Sequence, residues 1–216
     1  MKKIASPLFQ DLSEAELDTL AAAGHLRTRQ FAKHEVIFRA GSCVREIGIV
    51  LRGSVHIENL DLWGTKSILS SVGAGQAFAE TYAFCGEALM VDAVAAEHCE
   101  ILFLHTATLT DARIEPALQD KLLHRLLAVS MRKNLSLSQR IFCTTPKTVR
   151  GRLLTYFSAQ AARCGRMEFE VPFNRQQMAD YLNLDRSALS KELCKMRDEG
   201  LLEFDKNRFV LKQLPE

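Results

Sequence analysis

Residues 174–210 hold the side chains whose types and spacing point most directly to chemistry. Asn174, with Gln177 at the third helical position, can close a reciprocal cap and start a helix. Met178, Ala179 and Leu182 give that helix its apolar face, and the small Ala179 lets a second helix cross closely. Asn183-Leu184-Asp185 then breaks the pattern, with Leu184 plugging the corner and Asp185 available as the next N-cap. The second helix runs from Arg186 to about Glu199, and Leu189, Leu193 and Met196 turn inward at spacings of four and three. Arg186, Ser187, Ser190 and Lys191 face outward near its start, and all can donate to base edges or phosphates. Gly200 stands where a glycine C-cap belongs. Leu201–Phe204 and Arg208–Leu211, separated by Asp205-Lys206-Asn207, make a small hairpin. Two short helices, a tight turn and a hairpin describe a winged helix-turn-helix. Arg186 is the expected guanine reader, because a guanidinium pairs bidentately with O6 and N7. Arg175 and Gln176 are expected to anchor phosphates, which positions without specifying. The competing reading is an ordinary helical hairpin with solvated charges; the wing and the local basic bias count against it.

The charge pattern agrees, weakly. The net charge of +2 is too small to announce a nucleic-acid binder. Residues 1–139 carry 14 Lys+Arg against 16 Asp+Glu, whereas residues 140–216 carry 14 against 10. The basic excess therefore lies in the third of the chain that holds the hairpin of helices, where it attracts phosphates. With 216 residues, 47% of them hydrophobic, the chain can bury one large core or two small ones. Five prolines, 11 glycines and 25% charged residues exclude collagen-like, mucin-like and wholly disordered readings. The longest apolar runs, such as Leu20–Ala23 and Ile101–Leu104, are far short of the roughly 18–20 residues needed to cross a bilayer, so no membrane partner is expected. Lys2 and Lys3 have no apolar stretch behind them, so no secretory signal is expected either. The six cysteines form no C-x-x-C pair, which favours reduced thiols and a cytoplasmic location.

The preceding elements must position this segment. Ser13-Glu14-Ala15-Glu16 reads as a capping box, with Leu12 and Leu17 as its staple. From about Arg29 to Leu104, short runs rich in Val, Ile and Phe recur between breaks: Val36–Phe38, Ile47–Leu51, Val55–Ile57, Ile68-Leu69, Val91–Ala96 and Ile101–Leu104. Gly41, Gly53, Gly64, Gly73, Gly75 and Gly86 fall in the breaks, and Asp61-Leu62-Trp63-Gly64 looks like a hairpin connection. This spacing predicts an antiparallel barrel or sandwich. After Leu104 the pattern turns helical for over 30 residues. Leu118, Leu122, Leu126 and Val129 mark one stripe; Leu123, Leu127, Ser130, Asn134, Leu137 and Ile141 mark a second in four–three alternation. Two adjacent stripes want two partners, the chain's own barrel and a second copy of the helix. Burial of the whole helix within its own domain is the alternative. Ser130 and Asn134 weaken a tight coiled coil but can set register. Thr145-Pro146 reads as an N-cap and first helical position, opening an amphipathic helix to about Arg163 with Val149, Leu153, Leu154, Phe157 and Ala161 on its apolar side. An apolar alternation follows at Met167–Val171. The expected domains are 1–110, a strand-rich domain; 111–143, the long helix; and 144–216, the winged helix-turn-helix.

The sequence resembles the Crp/Fnr superfamily of bacterial transcription regulators over nearly its whole length. Phe9, Leu12 and Glu14, then Val36–Phe38 with Gly41, and Leu51-Arg52-Gly53-Ser54-Val55 look like the family's opening. Gly75-Gln76-Ala77-Phe78-Ala79-Glu80 is similar to Gly-x-x-Phe-Gly-Glu, with Ala79 replacing the second glycine. Asp185–Lys191 resembles the recognition-helix pattern Ser-Arg-Glu-Thr-Val-Ser-Arg. The resemblance implies an α+β chain: an N-terminal β-roll of the cyclic-nucleotide-binding type, a long dimerisation helix and a C-terminal winged helix. It further implies a homodimer on a near-palindromic site in double-stranded DNA, a small-molecule effector, and RNA polymerase as a further partner. In such a regulator the effector shifts the long helices and reorients the winged domains, a shift between two populations.

The departures from the family are informative. In its cyclic-nucleotide binders Glu80 would hold the ribose, and an arginine after a short helix the phosphate. Here no arginine lies between Glu80 and Arg113, and Asp92 would repel a phosphate, which argues against cyclic AMP or GMP. The family's iron–sulfur branch carries an N-terminal cysteine cluster, whereas the first cysteine here is Cys43. Glu80, Phe78, Tyr82 and Met90, with Phe84 beside them, are the candidate effector pocket, set against a role in core packing. Ser187 replaces the family's glutamate and cannot accept from cytosine as a carboxylate can, so a different half-site is expected. Cys85, His98, Cys99 and His105 are the candidates for metal or redox chemistry, but His98 and Cys99 on one strand face opposite sides. No residue is assigned as catalytic or metal-binding: a Cys/His enzyme finds no glycine elbow, phosphate loop or zinc spacing here. The alternative function is a ligand-independent regulator of the same fold, controlled by abundance.

Overall fold

The computed structural model describes residues 4–60 and 66–212. The connection expected at Asp61-Leu62-Trp63-Gly64 lies outside them. The chain divides into two compact units, Met1–Arg132 and Lys133–Glu216.

In the first unit a 3-10 turn, Pro7–Phe9, leads into α1 (Glu14–Ala22). The capping box forms: Ser13 Oγ accepts from Glu16 N at 3.2 Å, and Glu16 Oε2 accepts from Ser13 N at 2.7 Å. Strands β1 (Leu26–Phe31), β2 (Val36–Phe38), β3 (Glu46–Arg52), β4 (Val55–Leu60), β5 (Lys66–Val72) and β6 (Ala77–Phe78) follow. A short helix α2 (Glu80–Cys85) precedes β7 (Asp92–Ala95) and β8 (Cys99–His105). Two antiparallel four-stranded sheets result, in the orders β1-β8-β3-β6 and β2-β7-β4-β5. Their facing surfaces enclose Phe31, Val50, Val55, Phe78, Ala95, Ile101 and Phe103. The alternate residues of the first sheet, Ile47, Ile49, Leu102 and Leu104, pack on the other side against α1 and the long helix. A strand buried on both faces needs a continuous apolar run, which is why Ile47–Leu51 was legible. Strand β1 was not, because Arg27, Thr28, Arg29 and Gln30 between its two buried ends are all exposed. Arg27 instead bonds Glu46 of β3 through Nε at 2.6 Å and lies 4.4 Å over the Phe103 ring.

The long helix α3 spans Pro116–Thr144. Residues 111–115, expected to open it, form a turn instead. Asp111 Oδ1 accepts from Arg113 N at 2.9 Å, and Asp111 Oδ2 lies 2.7 Å from Nε2 of the buried His25. Leu118, Leu122 and Leu126 of the first stripe are buried. The second unit contains α4 (Val149–Cys164), β9 (Glu168–Glu170), α5 (Arg175–Leu182), α6 (Arg186–Asp198), β10 (Leu202–Asp205) and β11 (Arg208–Leu211). Helix α4 starts later than the proline suggested: Thr148, not Thr145, is its N-cap, accepting from Gly151 N at 3.0 Å. Thr145 Oγ1 donates back to Ile141 O at 2.8 Å and so closes α3 instead. Strand β9 pairs with β11, making the wing a three-stranded sheet.

Candidate nucleic-acid interface

The helix pair is fixed from beneath by charge-assisted bonds to its backbone. Helix α5 begins with the reciprocal cap, Asn174 and Gln177 each accepting from the other's N–H at 2.9 Å. It ends at Asn183 in the left-handed region (φ 53°), a conformation asparagine tolerates, with Leu184 N donating to Ala179 O at 2.9 Å. Two arginines donate to four carbonyls at this end, one of which, Asp180 O, also accepts from Asn183 N at 3.3 Å. Arg140 of α3 donates to Tyr181 O and Asp180 O, both at 3.0 Å. Arg152 of α4 donates to Leu182 O at 3.1 Å, to Asn183 O at 2.7 Å and to Pro146 O at 2.8 Å. Arg150 ties α4 to α6, meeting Glu192 at 2.6 Å and Glu199 at 2.7 Å. These bonds raise the Arg150 guanidinium above its ordinary value and pull Glu199 below the usual carboxylate range. No sequence motif marks these three arginines; their only signal is a run of basic residues on elements that read as amphipathic.

Helix α6 turns Leu189, Leu193 and Met196 fully into the core. The opposite face carries Arg186, Ser187 and Lys191 exposed and Ser190 half-buried. Among the described residues Arg186 and Lys191 make no ion pair, so both charges are available to a partner. Asp185 caps the helix, its Oδ1 accepting from Ala188 N at 2.9 Å and from the Ser187 hydroxyl. That hydroxyl, followed by the backbone N–H groups, holds the Asp185 carboxyl below its usual range. Gln176 is exposed and donates to Asp180 Oδ1 at 2.8 Å. Arg175 is placed differently from the free phosphate anchor expected. Its guanidinium stacks on the wing, 4.9 Å from the Phe204 ring and 5.1 Å from Phe209, because those rings cover the start of α5. Burial lowers its ordinarily very high pKa.

In the first unit the four candidate pocket residues do not come together. Phe78 fills the roll: a Cβ on Gly48 would stand 2.3 Å from its Cζ, and the ring lies 5.8 Å from Phe38. Met90 is 77% exposed and Tyr82 half-buried on α2. Glu80, buried at the first position of α2, lines an open cavity of about 230 Å³ with Phe84, Cys85, Leu123, Leu127 and Ser130. Phe84, one turn on from Glu80, is thus where an apolar wall forms. Cys99 is buried, its Sγ donating to Ser54 O at 3.0 Å, while the adjacent His98 is exposed. Along α3 the second stripe stays uncovered: Leu123, Leu127, Leu137 and Ile141 are exposed, as are Met131, Leu135 and Phe142, which the stripe did not include. Ser130 is half-buried, and exposed Asn134 accepts from Ser138 Oγ at 3.3 Å. No described helix is long and apolar enough to cross a membrane.

A two-sheet roll, a long helix and a winged helix-turn-helix define a transcription regulator with a DNA-binding domain. Residues 28–113 match the model of the cyclic nucleotide-binding domain, and residues 151–216 that of the Crp-like helix-turn-helix domain. The catabolite activator protein of Thermus thermophilus is 25% identical, covering 96% of this chain and 94% of that one, with a TM-score of 0.50. FixK2 from Bradyrhizobium japonicum shares the fold at 19% identity, covering 87% of this chain and 93% of that one, with a TM-score of 0.51. CprK complexed with OCPA shares it at 14% identity, over 94% and 91%, with a TM-score of 0.65. No curated protein sequence matches the chain. The chain belongs to the Crp/Fnr family, a family of transcription regulators.

Proposed function

We propose that this regulator is a cytoplasmic homodimer that reads a near-palindromic site in double-stranded DNA through Arg186, Ser187, Ser190 and Lys191, with Gln176 against a phosphate. In this reading 1–110 senses a signal, 111–143 dimerises, and 144–216 reads DNA. The observation that carries it is the two-sidedness of α6: one face fully buried, the other presenting two hydroxyls and two cations that make no ion pair among the described residues. The uncovered stripe Leu123, Leu127, Leu137 and Ile141, with Ser130 and Asn134 setting register, supports pairing with a second copy. An effector would enter beside Glu80 and Phe84, against Leu127. Neither Arg nor Lys occurs from 81 to 112 to match a phosphate, which favours an effector other than cyclic AMP or GMP. That same gap favours the second reading, a regulator controlled by its own abundance. RNA polymerase is the further partner proposed.

Selection of bound fragments from a random DNA pool, at fixed salt, tests the proposal. The expected product is a palindrome whose half-site centres lie about 34 Å apart, one helical turn. Salt-sensitive binding without any enriched sequence would contradict it. Enrichment with no added ligand, from protein stripped of small molecules, would favour control by abundance.

A further inference from the structure

The first turn of α6 fixes how one of its hydroxyls can speak to a base. A serine hydroxyl has one proton and two lone pairs, so a free one can pair with either a donor or an acceptor on a base edge. Ser187 is not free in this sense. Its Oγ donates to Oδ1 of Asp185, the oxygen that also accepts the Ala188 N–H at 2.9 Å and so caps the helix. The capping bond pins the carboxylate, and an ionised carboxylate can only accept, so the direction of the hydroxyl bond is determined. Such a bond to a charged acceptor is about twice as strong as a neutral one, so turning the proton toward a base would lose more than it gained. Both residues are exposed, which leaves the serine's lone pairs open to a partner.

We infer that the Asp185–Ser187 pair makes Ser187 an acceptor-only reader, selecting a base that presents an amino group in the major groove, cytosine through N4 or adenine through N6. Guanine, with O6 and N7, and thymine, with O4, offer acceptors at that edge and meet only lone pairs. The negative charge of Asp185 adds repulsion against the same two bases. Asp185 is therefore a positioning residue: it touches no base, and it sets the polarity of the residue that does. This inference rests on the reading of α6 as the recognition helix and names what one of its positions specifies. It also revises two expectations from sequence: that Ser187 donates, and that in place of a carboxylate it does not take the cytosine amino group.

The test is selection from a random DNA pool with the full chain and two variants, Ser187→Ala and Asp185→Gly. Ser187 is exposed, and glycine is a tolerated N-cap, so both variants keep the fold. The expected wild-type palindrome has one position per half-site where adenine or cytosine exceeds guanine and thymine by about fivefold or more. Ser187→Ala should flatten that position and leave the rest of the palindrome intact. Asp185→Gly should release the hydroxyl proton and admit guanine or thymine there, a change that a purely structural cap would not produce. A palindrome in which the Ser187-dependent position carries guanine or thymine would overturn the inference. So would one in which Ser187→Ala alters no position, or one in which Asp185→Gly leaves the amino preference in place. Absence of any palindrome with the wild-type chain would overturn the reading of α6 itself, a distinct result.

Discussion

Arg152→Ala should loosen the helix-turn-helix without touching its DNA-facing side chains. The guanidinium serves Pro146 O, Leu182 O and Asn183 O, of which the first two bonds are part-buried and the third exposed. After truncation the exposed carbonyl regains water at little cost. Each part-buried carbonyl loses a charged donor and is only partly rehydrated, at a cost near the low end of about 1–3 kcal/mol. The sum is about 2–3 kcal/mol. In a domain of this size, each kcal/mol moves the melting temperature by roughly 4–8 °C, so the transition of the C-terminal unit should fall by roughly 10–20 °C. Scanning calorimetry on the full chain reads the shift. Amide exchange should show lost protection at Asn183 and Leu184, whose N–H groups close α5. Arg186→Ala is the control, because Arg186 makes no ion pair among the described residues and its loss should change stability by less than about 0.5 kcal/mol. A shift below about 3 °C for Arg152→Ala would refute the claim that this arginine caps the turn.

Gly48→Ala would set a Cβ 2.3 Å from the Phe78 ring inside the roll, and should destabilise the N-terminal unit by about 1–3 kcal/mol in urea unfolding. Ala79→Gly should do the opposite. Ala79 sits at φ 62°, in the left-handed region that glycine adopts freely, and the relief should raise stability by about 0.5–1 kcal/mol in the same assay. Glu16 is drawn from 4.5 to about 2, chiefly by Lys121 and then by the Ser13 N–H. Its contribution is therefore complete above pH 4.5 and is lost as pH falls toward about 2. Melts from pH 6 to 2 should show Glu16→Gln less stable than wild type at the upper end, with the two converging at the lower.

How much was legible depended on whether a residue's role was local. The caps at Ser13 and Asn174, the apolar spacing of α6 and the glycine stop at Gly200 each involve neighbours within four residues, and all were readable. The order of roll, long helix and winged helix followed from period changes that extend over tens of residues. Strand β1 escaped because its polar middle is stabilised by Glu46 and Phe103, partners distant in sequence. The start of α4 was misplaced because a proline suited to a first turn here follows a threonine committed to ending α3. Arg175 reads as a surface cation until the wing supplies two rings to stack on it. Met90 looks like pocket lining in sequence, since nothing local says that it faces water.

The central claim is a homodimer that reads two half-sites, and the mass of the protein–DNA complex tests it most directly. Sedimentation equilibrium of the full chain on the selected palindromic duplex should show two chains per duplex, and a single half-site should bind at least about 100-fold more weakly, as expected when two linked modules bind together. One chain per duplex, or equal affinity for the half-site, would contradict it.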